Sequence, residues 1–511
     1  MWPTLVGIAL TLTGWSLTRL VARAPIMPNW ALAIDLGAPL VIFVNVLALT
    51  ARPIFAGVMT FALMGGFAFL DLVKRATLRE PVVFSDVGEA IELFRHPQLY
   101  LPFAGPKRVI ATALAVATAL MTLLVFEPPQ WSWSPWPPFA LTGATLGFLW
   151  TIHGPKLPAA ARTLRKLGPN GDPIADASLL GGLAIQVIYS GIARDERDQR
   201  REQANRRAMA LTPRHAQSNS PVLVVQCESF FDPRRLHAAI PADIVPAFER
   251  CRSSGIQSGR LTVPGWGANT MRAEFAVMTG LPEEAIGFDR FNPYFAFARA
   301  PLKSLARRMR SEGYRTICLH PFDRTFYRRD EVMPNMGFDV FLGEEAFVGA
   351  ARNGYYIADT EVARVAADIL REEREPIFLF AITMDNHGPW LPVAPNAAAL
   401  KAIAGLPSTQ EDGALAQFLA GVGRSDAMLG ILIDALSSRR GLCTFYGDHL
   451  PSLPTAFAAC DFHEISTDYA IWHPEARNPI RRDLAAHELS EAIFQACRAA
   501  TLSSSAATSS K

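Results

Sequence analysis

The sequence lacks the short motifs that mark several common classes of enzyme. No GxGxxG follows a predicted strand, which argues against a dinucleotide-binding domain, and no GxSxG elbow indicates an α/β-hydrolase. The six cysteines are scattered without CxxC spacing, so neither a zinc ribbon nor a thiol redox site is expected. The net charge is only +2, so nothing in the charge balance favours binding to nucleic acid.

Charged residues make up only 19% of the chain, and they are nearly missing from its beginning. Between residues 1 and 73 the charged side chains are Arg19, Arg23, Asp35, Arg52 and Asp71. Long apolar runs cover 4–17, 31–50, 54–70 and 109–126, with a shorter fifth run at 138–152. Since about 17–25 apolar residues cross a bilayer as a helix, we predict a transmembrane bundle of about five spans over residues 1–155.

From residue 221 onward, short apolar runs alternate with amphipathic stretches. PVLVVQ, RTICLH, PIFLFAIT, LCTFYG and DYAIWH are typical of strands, and TEVARVAADILREE is typical of a helix between them. Buried strands that alternate with helices indicate an α/β domain with a mostly parallel sheet. We assign this domain to residues 221–498, expect an interfacial helix and a charged linker over 156–220, and expect a disordered tail at 499–511.

Acidic residues or histidines follow four of the predicted strands. They are Glu228, His320, the stretch from Asp385 to His387, and the adjacent pair Asp448 and His449. Ligands of open α/β sheets bind outside the carboxyl ends of the strands, so these side chains are candidates for one site. Carboxylate oxygens and imidazole nitrogens suit Mn²⁺, Zn²⁺ or Mg²⁺ better than Cu(I) or an iron–sulfur cluster.

The stretch VPGWGANTMRAEF has a single hydroxyl group at its centre, Thr270, where a Gly-rich loop meets a predicted helix. Taken alone, such a threonine is an ordinary helix cap. Beside a metal ion its hydroxyl becomes a nucleophile, and the helix N-terminus offers N–H groups to a phosphoryl group. His320 and His387 can hold phosphate oxygens or protonate a leaving group, and Arg329 can add a charged hydrogen bond. These parts fit phosphoryl transfer through a covalent phospho-threonine.

Five segments resemble, in the same order, those of the lipoteichoic acid synthase family within the alkaline phosphatase/sulfatase superfamily. They are VVQCESF, GANTMRAEFAVMTG, HPFDRTFYRRDEVMPNMGFD, ITMDNHGPW and YGDHLPSLP, and together they cover roughly residues 221–473. The resemblance implies a membrane bundle joined to an alkaline phosphatase/sulfatase-like domain. The C/S-x-P-x-R motif that sulfatases need to make formylglycine is missing, so sulfate ester hydrolysis is disfavoured.

The same resemblance implies the roles of individual residues at a site for one divalent metal ion. The implied metal ligands are Glu228, Thr270, Asp448 and His449. The ion is expected to be Mn²⁺, with Mg²⁺ or Zn²⁺ as alternatives. Thr270 is the expected nucleophile and His387 the leaving-group histidine, which makes these two the catalytic pair. Contacts to the substrate are expected from His320, Tyr327, Arg329 and His387.

Members of this family transfer glycerol phosphate from phosphatidylglycerol. The resemblance therefore implies transfer of phosphoglycerol, or a similar phospho-alcohol, from a phospholipid to a cell-envelope glycan, with hydrolysis to water as the alternative. Phe322 stands where the family has an acidic contact, and Met271 and Arg272 replace small polar residues. These departures leave the head group open, and lipoteichoic acid synthesis itself is not implied.

The family pattern also implies a multi-pass protein of the bacterial inner membrane, with its catalytic domain on the periplasmic or extracellular side. With five spans, Lys74, Arg75 and Arg79 would lie outside, against the positive-inside rule. A sixth span at 178–193 would remove this conflict, but that run is short and contains Ser, Gln and Gly. We expect five spans and an interfacial helix.

Overall fold

The computed structural model of the chain describes residues 2–24, 29–131, 136–153, 183–207, 220–390 and 403–508. The chain divides into two compact units, Met1–Asp198 and Gln199–Lys511. Much of the expected linker, at 156–182 and 208–219, lies outside the described residues, as do residues 509–511 of the expected tail. The remaining part of that tail belongs to the last helix, Ala486–Thr508.

The first unit consists of helices. They are α1 (Trp2–Val21), α2 (Asn29–Thr50), α3 (Pro53–Leu78), α4 (Ala90–Arg95), α5 (Pro97–Ala104), α6 (Pro106–Phe126), α7 (Trp136–His153) and α8 (Leu183–Arg207), which continues into the second unit. Within the described residues, three stretches are long and apolar enough to cross a membrane: Trp2–Val21, Pro53–Leu78 and Val109–Phe126. Asp35–Thr50 is apolar but shorter. The count of five spans stays a prediction.

Polar side chains inside these apolar helices are paired with one another. The Asp35 carboxylate accepts hydrogen bonds from Arg19 Nη1 at 2.8 Å and from Trp15 Nε1 at 3.0 Å. Asn45 Nδ2 donates to Thr145 Oγ1 at 2.8 Å, which ties α2 to α7. Because an unpaired polar group is costly in an apolar medium, such pairing is what a helix bundle in lipid requires.

The second unit contains a nine-stranded mixed sheet and a separate hairpin. The strands are β1 (Val222–Cys227), β2 (Gln257–Thr262), β3 (Arg315–Leu319), β4 (Val340–Leu342), β5 (Arg352–Asn353), β6 (Tyr356–Ile357), β7 (Ile377–Ile382), β8 (Leu442–Gly447), β9 (Ser466–Trp472), β10 (Ile480–Arg481) and β11 (Leu484–Ala485). The sheet order is β10-β2-β9-β8-β1-β7-β3-β4, with β11 also on β2. Only β9 is antiparallel to its sheet neighbours among the described strands, so the predicted mostly parallel sheet is confirmed.

Helices cover both faces of this sheet. They are α9 (Pro246–Ser254), α10 (Thr270–Thr279), α11 (Glu283–Ile286), α12 (Leu305–Ser311), α13 (Arg329–Met336), α14 (Asp359–Glu372), α15 (Asp412–Ser437), α16 (Pro454–Ala459) and α17 (Ala486–Thr508). Successive residues of β1 enter different cores: Val224 packs in the core that contains α10 and α17, and Val225 in the core that contains α14 and α15. A strand covered on both faces reads as a continuous apolar run, which explains VLVVQC.

Candidate active site

The order of the strands brings the predicted polar residues to one edge of the sheet. Strands β8, β1, β7 and β3 are consecutive neighbours and all parallel, so their carboxyl ends meet. In the register of β1 and β8, Cys227 lies opposite Gly447. Glu228 and Asp448 therefore leave the sheet side by side.

Glu228, Asp448 and His449 form a buried cluster at this edge. Each contributes one ligand atom, and these atoms lie within 4.8 Å of one another. His449 Nε2 is 3.4 Å from Glu228 Oε1 and 3.4 Å from Asp448 Oδ2. The three side chains are at most 2% exposed. The structure thus brings together three of the four predicted metal ligands through contacts between their side chains.

Neighbouring groups fix the orientation of this cluster. Asp448 Oδ1 accepts from the backbone N–H groups of Ser229 and His449, both at 2.8 Å, and Ser229 Oγ donates to Glu228 Oε1 at 2.8 Å. His449 Nδ1 lies 3.1 Å from the carbonyl of Leu450, which places the proton on Nδ1 and leaves the Nε2 lone pair for a ligand.

One atom of each side chain has no hydrogen-bond partner among the described residues: Glu228 Oε2, Asp448 Oδ2 and His449 Nε2. Leaving a buried polar atom unpaired costs about 1–3 kcal/mol, so three such atoms at one point favour a cation there. Burial, together with the nearby Asp448 carboxylate, raises the pKa of Glu228 to about 8. Two carboxylates and one imidazole form a ligand set for a divalent ion such as Mn²⁺, Zn²⁺ or Mg²⁺. The residues therefore fit the expected metal.

The glycine of YGDH is required by a close approach of two backbones. A Cβ atom on Gly447 would lie 1.7 Å from the carbonyl oxygen of Phe230. The loop after β1 therefore packs directly against the end of β8, which brings Glu228 and Asp448 close together.

Thr270 is the first residue of α10, and Asn269 occupies the N-cap position with a φ of 67°. Thr270 is therefore not the capping residue. Two hydrogen bonds link residues on either side of Thr270 to residues next to the buried cluster. Before it, the Gly267 N–H donates to the carbonyl of Leu450 at 3.0 Å. One turn after Thr270, Glu274 Oε2 lies 3.5 Å from Gln226 Nε2, two residues before Glu228.

A second buried cluster, which sequence reasoning missed, is centred on Glu274. Its carboxylate accepts from Arg329 Nη2 at 2.9 Å and from Tyr294 Oη at 2.6 Å. Arg329 Nη1 is in turn 3.2 Å from His320 Nε2. Burial and the Arg329 guanidinium hold the pKa of His320 well below its usual value, so its imidazole is neutral at pH 7. Tyr327 has its ring centroid 5.3 Å from Arg329 Cζ.

His387 lies in the loop after β7 and contacts the hairpin formed by β5 and β6, which was also missed. Its Nδ1 is 2.5 Å from the Gly388 carbonyl oxygen and 3.2 Å from Tyr356 Oη. Because a carbonyl oxygen only accepts, Nδ1 carries the proton, and the lone pair of the neutral ring is on Nε2. Burial lowers its pKa. Asn353 Nδ2 in the same hairpin donates to Asp385 Oδ2 at 2.9 Å. Gly354 in RNGYYI, at the first position of the turn, is a hairpin signal that the sequence offered.

The two unusual residues after Thr270 have structural partners. Met271 is fully buried in the core. Arg272 is also buried, and its Nη2 donates to Glu283 Oε1 at 2.6 Å. Phe322 packs edge-to-face against Phe326, with ring centroids 5.3 Å apart.

The family comparison agrees with this geometry. The family model described as Sulfatase matches residues 220–496, more than half of the chain. The chain belongs to the sulfatase family, and the superfamily predicted from its motifs is confirmed. Enzymes of this superfamily use a divalent metal, in line with the ligand cluster.

Individual relatives extend the comparison. The capsular polysaccharide biosynthesis protein RkpI of Rhizobium meliloti (strain 1021) is 29% identical over 447 residues, which cover 84% of this chain and 79% of that protein. A putative cyclic beta-1,2-glucan modification protein of the same organism is 30% identical over 244 residues, 47% of this chain and 37% of that protein. Among solved structures, the phosphoglycerol transferase GacH of Streptococcus pyogenes has a TM-score of 0.45 and 23% identity, covering 60% of this chain and 80% of that chain.

Proposed function

We propose that this protein transfers a phosphoglycerol, or a similar phospho-alcohol, from a membrane phospholipid to a cell-envelope glycan through a phospho-threonine at Thr270. The observation that carries the proposal is the buried cluster of Glu228, Asp448 and His449, with its three unpartnered atoms. A supporting contact is the hydrogen bond from the Gly267 N–H, three residues before Thr270, to the carbonyl of Leu450, which follows His449.

Thr270 is the nucleophile and the fourth metal ligand in this proposal. A divalent ion, Mn²⁺ in our proposal, would lower the pKa of the Thr270 hydroxyl and withdraw charge from the phosphate. Because Thr270 begins α10, the positive end of the helix dipole would favour the anionic phosphoryl oxygens.

In the first half-reaction the Thr270 oxygen attacks the phosphorus of the donor, and the Thr270 proton passes, directly or through water, to the neutral imidazole of His387. The bond from phosphorus to the diacylglycerol oxygen breaks, and His387 gives that proton to this oxygen. In the second half-reaction the acceptor hydroxyl attacks the phosphorus and gives its proton to His387. The bond from phosphorus to Thr270 breaks, and His387 returns the proton to the threonine oxygen. The transfer balances, and His387 ends neutral as it began, in keeping with its lowered pKa.

His320, Tyr327 and Arg329 are the proposed contacts to the head group. His320 is neutral because of its lowered pKa, so one ring nitrogen accepts and the other donates. Arg329 is held by Glu274, so its charge is fixed in place before substrate arrives. Such preorganisation reduces the entropy lost on binding.

The donor and acceptor follow from sequence patterns and relatives. A phospholipid donor such as phosphatidylglycerol is proposed from the motifs shared with lipoteichoic acid synthases and from the apolar helices of the first unit. An envelope glycan acceptor is proposed because two relatives carry names that refer to capsular polysaccharide and to cyclic glucan. In this proposal, residues 1–155 anchor the protein in the inner membrane, and residues 221–498 form the catalytic domain on the periplasmic side. Residues 156–220 connect the two.

The test uses full-length protein in lipid nanodiscs with phosphatidylglycerol labelled in its head group. We expect mass spectrometry to find labelled phosphoglycerol on the Thr270 peptide of the wild type and none in Thr270→Ala. Thr279→Ala is the matched control, because Thr279 lies at the other end of the same helix, where its hydroxyl donates to the Phe275 carbonyl and accepts from the Leu281 N–H.

Adding an envelope glycan then shows where the group goes. Label attached to the glycan supports the transferase, and label released only as free glycerol phosphate indicates the hydrolase instead. An unlabelled wild-type Thr270 peptide, with turnover retained in Thr270→Ala, would disprove the phospho-threonine mechanism.

A further inference from the structure

A row of aromatic rings connects two histidines of the site. The ring centroid of His320 is 6.2 Å from that of Phe322, and Phe322 is 6.3 Å from Tyr355. Tyr355 is 5.4 Å from Tyr356, which is 5.4 Å from His387. The row therefore connects the buried residue His320, a proposed head-group contact, through the partly exposed Tyr355 to the proposed proton-transfer residue.

Tyr355 sits at the tip of a tight hairpin. The strands β5 and β6 pair with Asn353 opposite Tyr356, so Gly354 and Tyr355 form a two-residue turn. Gly354 has a φ of 59°, and a glycine at the first turn position is the pattern of a type II′ turn. Arg352 Nη1 also donates to the Tyr355 carbonyl at 3.0 Å, which fixes the tip further.

The same hairpin is attached to the catalytic loop after β7. Tyr356 Oη lies 3.2 Å from His387 Nδ1, and Asn353 Nδ2 donates to Asp385. Tyr356 and Asn353 form a cross-strand pair, so both hold the loop from one face of the hairpin. Tyr355, between them in sequence, is 50% exposed. A large ring is thus kept partly in solvent at a rigid position one residue from the contact to His387.

We infer that the exposed ring of Tyr355 is a stacking platform for a sugar ring of the acceptor glycan. This inference rests on the proposed function. The face of an aromatic ring carries partial negative charge and attracts the C–H-rich face of a pyranose. The neighbouring Arg352 is paired with Glu344, so the charge around the platform is balanced. Balanced charge suits a neutral sugar, whereas a phosphate would need an uncompensated cation.

The position of Tyr355 explains how a hydroxyl group of the acceptor would come close to His387. A sugar stacked on Tyr355 lies next to Tyr356, whose hydroxyl contacts His387. The hydroxyl groups at the rim of the sugar would then face the histidine that takes up a proton in the second half-reaction. Stacking is expected to contribute a roughly 2- to 12-fold gain in affinity for the acceptor.

The experiment compares full-length wild type with Tyr355→Ala, Tyr355→Trp and Val348→Ala in nanodiscs. Val348 is the matched control, since it is a 93% exposed apolar residue just before the hairpin. Binding of cyclic β-1,2-glucan and of a panel of neutral oligosaccharides is measured by titration calorimetry, and attachment of labelled phosphoglycerol is measured in parallel. Thermal unfolding checks that every variant is folded.

We expect Tyr355→Ala to bind the preferred saccharide about 2- to 12-fold more weakly, with Tyr355→Trp and Val348→Ala close to wild type. Adduct formation at Thr270 should be unchanged in all of them. Equal binding by wild type and Tyr355→Ala, or a wild type that binds no saccharide, would overturn the platform. Saccharide binding that depends on Tyr355, with no label reaching the saccharide, would leave the platform standing and refute the transferase.

Discussion

The Glu274 carboxylate and the Arg329 guanidinium form an ion pair at 2.9 Å, with both side chains at most 1% exposed. The pair links α10, which begins with Thr270, to α13, which begins with Arg329. Arg329 Nη1 also lies 3.2 Å from His320 Nε2. Burying either charge alone would be costly, so the two must enter the core together.

We predict that Glu274→Gln lowers the free energy of unfolding by about 3–5 kcal/mol, because it leaves the Arg329 charge buried without a partner. Glu491→Gln, which breaks a more exposed pair with Arg308, should cost about 0–1 kcal/mol. Denaturant titration of the full chain in detergent measures both values. A Glu274→Gln protein as stable as the Glu491→Gln control would show that the buried pair contributes no net stability.

The affinity of the metal-free protein for Mn²⁺ should fall as the pH is lowered below about 8. The pKa of Glu228 is raised to about 8, so at lower pH its carboxyl is protonated and a bound cation must displace that proton. One displaced proton predicts a loss of about tenfold per pH unit, measurable by calorimetry. In Glu228→Gln the affinity should be much weaker and its dependence on pH shallower. A wild-type affinity that stays constant between pH 6 and 8 would contradict this assignment.

Two glycines of α15 provide a matched test of the packing behind His387. A Cβ atom on Gly421 would lie 1.9 Å from Asn386 Oδ1, whereas a Cβ atom on Gly423 meets nothing within 4 Å. Asn386 Oδ1 accepts from Trp390 Nε1 at 3.1 Å, so Gly421→Ala must break or shift that bond. We expect Gly423→Ala to stabilise the protein by about 0.5–1 kcal/mol, the usual gain of alanine over glycine in a helix.

Gly421→Ala should be less stable than Gly423→Ala and should have a lower rate of transfer, because His387 follows Asn386 directly. Thermal unfolding and a transfer assay on both variants check this. Equal stability and equal rates for the two variants would mean that Asn386 moves freely.

The number of membrane spans can be decided by alkaline phosphatase fusions after His153 and after Arg194. Alkaline phosphatase is active only outside the inner membrane. Five spans with the N-terminus inside predict activity at both positions, whereas six spans predict activity only after Arg194. An inactive fusion after His153 would therefore support a sixth span at 178–193.

Much of the domain architecture could be predicted from local sequence. The apolar strands predicted a parallel sheet because a strand covered on both faces is mostly apolar, as β1 is apart from Gln226. The acidic residues and histidines after those strands predicted a shared site, because the carboxyl ends of parallel strands meet at one edge. The contact between Asp448 and His449 could be predicted because the two residues are adjacent in the sequence. Arg329 was predicted as a substrate contact, but nothing nearby in sequence revealed that Glu274 holds it.

Long-range packing decided the rest. Glu274 and Arg329 are 55 positions apart, and the hairpin at Tyr356 reaches His387 across 31 positions. No periodicity in the sequence records such pairs, because they depend on the order β8-β1-β7-β3 and on how loops fold over that edge. The sequence by itself determined which side chains stand at the strand ends and that their chemistry suits a metal and a phosphate. Only the tertiary structure decided which of them form one cluster, because hydrogen bonds with Ser229 and Leu450 orient these side chains and close packing at Gly447 brings two loops together.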